Sequence, residues 1–306
     1  MNSNCRVYPN LHSVRNPLSS LHDTPQLSVG IIDTSTEARL RTVLDWYTAH
    51  MDLDLHVMTT DGRVDVQALQ ESFPSVTFIV FTASGFNGEK INQFAYGCRS
   101  RFFFITRSDA DLVFFDGASM TKLMAQEDHP AMVLPLRLNN KGEFTPDIRV
   151  PLLTGDGRID VESDMPKVPD GGAMPSLYPI MEMGLYDTAL FQRLRGYDEQ
   201  IHSEYWQAMD WGIRCWMMGY PLYLSQLAVL FFPGSLSLVE DQSESEGWKR
   251  CPTKALSLKV SEGHRPEVVK PRRDFDHDAW EQDVRLRYRY LVKQDYPTLV
   301  RNWGKQ

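Results

Sequence analysis

The chain has 306 residues, 42% hydrophobic and 24% charged, an ordinary globular composition that can bury a sizeable core in one large α/β domain or two small ones. A net charge of −8 argues against a nucleic-acid partner, whose phosphates call for clustered Lys and Arg, and favours small-molecule or glycan partners. Cys5, Cys98, Cys215 and Cys251 form no Cys-x-x-Cys pair, and no stretch approaches the roughly 20 apolar residues that span a bilayer, so the expectation is a cytoplasmic protein, at most peripheral to the inner face of a membrane.

Residues 1–25 are polar and turn-rich and read as a poorly structured segment. QLSVGIID then predicts a buried strand ending at Asp33, and Thr34 with Glu37 has the spacing of a capping box ahead of a helix carrying Leu40, Val43, Leu44 and Tyr47. A second strand (54–60) runs into Asp61-Gly62, a weak helix covers 65–72, and TFIVF (77–81) is a third strand. A helix over 89–99 and the strand RFFFITRSDAD follow, the latter stopping in acidic residues. A helix (117–127) and the strand AMVLPLRL (131–138) complete a βαβ alternation that implies a mainly parallel central sheet flanked by helices. Residues 139–176 read as a long loop that either hides short strands or shapes a site. Beyond it come an extended piece (178–186), a helix (187–195), a helix over 203–218 ended by Gly219, and two short strands, PLYL and LAVLFF. The boundaries are one domain over 26–235, split into a 26–138 part and a 139–235 part. A C-terminal helical extension covers 236–306, with a helix near 278–294 opened by Asp278 and Glu281.

Asp109 and Asp111 flank Ala110 just past an apolar strand, so both carboxylates can reach one side and offer hard oxygen ligands to Mn2+ or Mg2+, leaving positions for diphosphate oxygens. The competing reading makes them turn and capping residues. Ligands of open α/β sheets sit beyond the carboxyl ends of the strands, where Asp33, Asp61 and Asp109 all fall. Asp33 or Asp61 is either an acceptor for a base N–H or ribose hydroxyl, or a helix cap. Lys90 and Arg107 are candidate diphosphate ligands, and Asn92 reads as a solvent-facing residue of the same helix as Lys90.

The order LSVGIIDTSTEARLRTVLDWY, VMTTDG, FNGEKINQFAYGCRSRFFFITRSDAD, GLYDTALFQRLRGYDEQ and MDWGIRCWMMGYPLYL, spread over about 27–232, resembles the inverting GT-A glycosyltransferases of family 2. The resemblance implies a Rossmann-like GT-A fold. It also implies transfer of a sugar from a nucleotide-diphosphate donor, a UDP-sugar by default, to a hydroxyl of a glycan or lipid-linked acceptor. It puts Asp33, Asp61, the Asn92 region and Asp109 near the donor nucleotide and the metal on Asp109 and Asp111.

Two features of that family are missing. Aligned on Asp210, Arg214 and Gly219, the family's Glu-Asp pair, whose Asp is the usual base, falls on Gln207 and Ala208, and LAVLFFPGS holds no metal-binding histidine. Asp210 and Glu204 remain as candidate bases, Asp210 being equally readable as an ion pair with Arg214 at i, i+4. Tyr197, Trp206, Trp211 and Trp216 are either sugar-stacking or core aromatics. Asp274 to Asp278 reads as a capping string, and Arg272, Arg273, Arg285, Arg287 and Arg289 are the candidates for a peripheral membrane or homo-oligomer contact. Two alternatives stay open: a degenerate GT-A-fold protein that binds nucleotide sugar without turnover, and a nucleotidyltransferase, whose Gly- and Lys/Arg-rich first loop IIDTSTEAR lacks.

Overall fold

The computed structural model describes residues 4–12, 26–167, 172–234, 239–261, 265–271 and 274–304; Arg272, Arg273 and most of the 1–25 segment lie outside the described residues. The elements in chain order are β1 (Cys5–Tyr8), β2 (Leu27–Ile32), α1 (Glu37–His50), β3 (Asp54–Thr60), α2 (Val66–Ser72), β4 (Thr77–Phe81), α3 (Asn87–Gly97), β5 (Phe102–Arg107), β6 (Asp111–Phe115), α4 (Gly117–Met124) and β7 (Met132–Leu138). They continue as β8 (Ile148–Leu153), β9 (Ile159–Asp164), β10 (Ala173–Pro175), a 3-10 turn (Ile180–Glu182), β11 (Gly184–Asp187), α5 (Thr188–Arg193), α6 (Glu204–Met217) and β12 (Leu222–Phe231). The chain then forms α7 (Arg250–Leu256), β13 (Leu258–Lys259), β14 (Glu267–Val268), a π-helical segment (Ala279–Arg285), a 3-10 turn (Tyr288–Tyr290) and α8 (Tyr296–Asn302).

The central sheet has strand order β1-β4-β3-β2-β5-β11-β7-β12-β10, with β6 also paired to β12. β4, β3, β2 and β5 are mutually parallel, so their carboxyl ends line up on one edge of the sheet. β2, β4 and β5 are mostly apolar and buried because both faces of the sheet are covered, and β3 is buried at its centre. One face packs Leu40, Val43, Leu44 and Tyr47 of α1 with Leu69 of α2 and Met120 of α4. The other packs Ile91 and Phe94 of α3 with Phe191 of α5 and the buried side of α6.

Several boundaries differ from the sequence reading. Residues 5–8 form an edge strand antiparallel to β4. The expected 139–176 loop holds the β8–β9 hairpin and β10. PLYL and LAVLFF are one strand, β12, whose pairing to β7 shifts register between Ser225 and Val229. Thr36, not Thr34, caps α1 by accepting from Arg39 N–H at 3.3 Å. The expected 278–294 helix is broken into the π-helical and 3-10 segments, and Asp276 rather than Asp278 accepts from Ala279 N–H, at 2.7 Å. No helix among the described residues is long and apolar enough to cross a membrane.

Candidate functional site

The edge formed by the carboxyl ends of β2, β3 and β5 is tied together by polar side chains. Ser108, fully buried just past β5, accepts from the backbone N–H groups of Thr34 and Ser35 at 2.9 and 3.0 Å. Thr34 in turn donates its hydroxyl to Asp109 Oδ1 at 3.0 Å. The residue expected to cap a helix instead clamps two strand ends. Asp33 is buried and accepts from Thr59 at 2.7 Å and from Arg63 Nε at 3.0 Å, while its Oδ1 has no partner. A buried acceptor left open at a strand end is an anomaly that a bound donor group resolves.

Asp109 takes a two-pronged contact from Arg107, Nε to Oδ1 at 2.9 Å and Nη2 to Oδ2 at 3.0 Å. Burial opposes ionisation of Asp109, but the hydrogen bonds and charge of Arg107 outweigh it and hold the carboxyl below its ordinary value. Lys90 sits on α3, 8% exposed, and its side chain makes no hydrogen bond or ion pair among the described residues. Burial lowers its pKa; the fields of Glu204 and Asp33 act to raise it and those of Arg63 and Arg107 to lower it further. Glu204, the exposed first residue of α6, has no hydrogen-bond partner among the described residues and acts electrostatically on both Lys90 and Arg107. Asp33 and the Arg107–Asp109 pair thus share one edge of the sheet, and Glu204 acts electrostatically on Lys90 and Arg107 there.

Others are placed elsewhere. Asp61 is half exposed and pairs with Arg6 of β1. Asn92 is buried, not solvent-facing: its amide donates to Tyr197 O at 2.9 Å and to Glu199 at 3.0 Å, and accepts from Tyr197 N–H at 2.9 Å, fastening the loop between α5 and α6. Asp210 is 1% exposed and lies in an ion network, with Arg214 at 2.8 Å and Lys254 at 2.9 Å, so the ion-pair reading of it holds. Tyr197 and Trp211 pack at tilted and edge-on angles in the aromatic core with Tyr186 and Phe191, Trp216 is buried, and Trp206 packs on Trp248. Gln207 accepts from Gly88 N–H at 3.2 Å, so the place of the family's Glu serves to seat α3 on α6.

The donor set does not fit a divalent ion. Asp111 is the first residue of β6 and gives one oxygen to Arg39 of α1 at 2.7 Å, so each aspartate is neutralised by its own guanidinium. No group of three His, Cys, Asp or Glu among the described residues could hold a metal.

Sequence reasoning missed Arg63, Arg39 and Glu182. Arg63 follows Gly62, whose φ of +77° turns the chain back over the end of β3. Glu182 is fully buried, between Asn87, which donates to it at 3.3 Å, and the fields of Glu204 and Arg107. Its backbone and that of Met181 have φ of 54° and 55°, an unusual pair of left-handed non-glycine residues. The signal for it was a lone carboxylate inside the apolar run YPIMEMGLY.

No protein-family model matches the sequence, and no curated protein does. Among solved structures, the chain superposes on the crystal structure of GalNAc-T7 with UDP, GalNAc and Mn2+ with a TM-score of 0.57 and 10% identity, over 79% of this chain and 49% of that one. The fold is GT-A. S. aureus TarS 1-349 aligns with a TM-score of 0.44 and 14% identity, over 67% of this chain and 60% of that one. The chain therefore spans about half the length of the first of these GT-A structures and three fifths of the second.

Proposed function

We propose that the chain is a glycosyltransferase that takes a sugar from a nucleotide-diphosphate donor and passes it to a hydroxyl of a glycan or lipid-linked acceptor. The carrying observation is the convergence, at the carboxyl ends of parallel β2, β3 and β5, of the open acceptor of Asp33 and the Arg107–Asp109 pair, within the electrostatic reach of Lys90, whose ammonium has no partner among the described residues. In a sheet of this type such an edge is where nucleotides bind. GalNAc-T7, which shares the fold, was crystallised with UDP, GalNAc and Mn2+, and a UDP-sugar is accordingly the first donor to try.

In this reading Asp33 accepts from the base or ribose, and Lys90 and Arg107 face the diphosphate. Glu204 is the base: its carboxylate is exposed and uncommitted, whereas Asp210 is buried and doubly paired. The acceptor hydroxyl gives its proton to Glu204 as its oxygen bonds to the anomeric carbon. The bond from that carbon to the diphosphate breaks on the opposite side, which inverts the centre, and the electron pair leaves on the diphosphate. The manganese or magnesium expected on Asp109 and Asp111 has no place in this scheme, because both carboxylates are matched by arginines. A cytoplasmic setting agrees with four free cysteines, and contact with a membrane or a second copy through the C-terminal region remains part of the proposal.

Thermal melts with a panel of nucleoside diphosphates and nucleotide sugars test the donor assignment. A ligand at 100 times its Kd stabilises the fold by about 2.7 kcal/mol, a shift easily read. A panel in which no nucleotide moves the transition removes the reading.

A further inference from the structure

Resting on the nucleotide-sugar reading above, we propose that Lys90 and Arg107 hold the donor's diphosphate in place of a divalent ion, so that nucleotide binding needs no metal.

The observation that points to a ligand is Lys90. The residue is only 8% exposed, yet its ammonium has no hydrogen-bond or ion-pair partner among the described residues. The stem of Lys90 is buried while its Nζ keeps access to solvent, so the ammonium is presented at the edge for an anion to pair with. The other cations beside it are ready in a second sense. Arg107 spends Nε and Nη2 on Asp109, and its Nη1 has no partner among the described residues. Arg63 spends Nε on Asp33 and Nη2 on Ser35 O at 2.6 Å, and its Nη1 likewise has no partner among the described residues. Each carboxylate therefore acts as a brace that fixes a guanidinium while leaving one of its nitrogens uncommitted. A planar guanidinium held this way suits phosphate oxygens, since its orientation is fixed before the ligand arrives.

The same braces exclude a metal at Asp109 and Asp111. To coordinate one, Asp109 must give up both bonds to Arg107 and the one from Thr34, and Asp111 its bond to Arg39. Those steps release two guanidiniums beside a dication. Counter-charging the diphosphate with Lys90 and Arg107 requires no bond to break.

The test is isothermal titration of the full chain with UDP, GDP, ADP and CDP, each in EDTA and in millimolar manganese, followed by variants with the best binder. The expected result is a Kd that differs by less than twofold between the two buffers. Lys90→Met should then weaken the diphosphate at least tenfold while leaving the matching nucleoside unchanged, and Lys90→Arg should restore part of the loss. Asp111→Asn should leave the Kd within twofold in both buffers. Binding seen only with manganese, or a manganese-dependent gain that Asp111→Asn abolishes, overturns the inference and leaves the nucleotide reading standing. A Kd unchanged by Lys90→Met in a variant that melts like the parent overturns it too. Silence from every nucleotide in both buffers overturns the inference and the reading beneath it together.

Discussion

Glu182 is a carboxyl with no room for a charge. Burial first, and then the field of Glu204, push its pKa well above the ordinary carboxylate value, with Asn87 and Arg107 only partly opposing the shift. The folded protein therefore holds a proton at Glu182 that the unfolded chain gives up above about pH 4.5. A raised folded pKa contributes stability that is fully present below the unfolded value and is lost as pH climbs toward the folded one, so at neutral pH this residue is a liability. Glu182→Gln keeps the shape and the hydrogen bond from Asn87 and removes the titration. Its melting temperature should exceed that of the parent at pH 7 to 8, by about 2–4 °C for each kcal/mol relieved, and the gain should vanish near pH 4. A gain that persists unchanged at pH 4 would assign the effect to packing instead. Residues such as this one were hard to read in advance because their meaning depends on long-range placement: Glu182 meets Asn87 across 95 positions. Lys90, Arg107 and Asp33 were legible because a strand end or a glycine-bearing turn marks each of them locally.

At the scale of elements, α6 decides where the site stands. It carries Glu204 at its first turn, caps that turn with Ser203, and ends at Gly219, whose φ of +83° suits a left-handed C-terminal residue. The capping pattern and apolar spacing made this helix plain in the sequence. Its partner surface was not plain. Midway along it, Gly212 lies against Leu177 and Tyr178 so closely that a Cβ would meet Leu177 O at 2.2 Å and Tyr178 Cα at 2.8 Å, both main-chain atoms that cannot swing aside. Gly212→Ala would improve helix propensity by about 1 kcal/mol in isolation, but here it wedges the helix off its neighbour. The expected net effect is a loss of roughly 1–3 kcal/mol, measured as a lower urea midpoint, together with a weaker nucleotide response because Glu204 and Gln207 ride on the same helix. An alanine variant as stable as the parent would mean that α6 has slack at this contact. The acidic turn shows the same division. Its position after β5 was readable, but that Asp111 opens a further strand was not, because β6 is defined by pairing with β12, about 115 residues later, where Phe231 sits opposite Asp111.

For the whole molecule, the parallel sheet and its flanking helices followed from alternating apolar runs, whereas the role of the last 70 residues did not, since composition there is polar and periodicity weak. What looked like an appended extension is built into the core. Cys251, Ala255, Val284, Tyr288, Tyr296 and Leu299 are buried in the same cluster as Trp211, Ile213 and Met217 of α6. Electrostatics reinforce the join: Asp198, before α6, is paired with Arg250 at 2.7 Å and also with Lys254, which reaches Asp210 at 2.9 Å. Burial opposes the charge on Asp198, but the fields of Lys254 and Arg250 overcome it and depress the carboxyl far below the usual range. Nearer the site, Arg149 and Tyr178 hold Glu240, and Trp206 donates to Ser243 O at 2.9 Å, so residues 240–243 lie along the helix that carries Glu204. A chain ending at residue 234 would strip the apolar side of α6 and leave Asp210 and Arg214 without Lys254 in a partly opened interior, a loss well beyond the roughly 5–15 kcal/mol that holds a domain folded. Such a truncation should give no cooperative melt and bind the hydrophobic dye ANS, while the full chain melts in one transition. A truncated protein that melts sharply would make residues 239–304 a separable module resting on an independent domain.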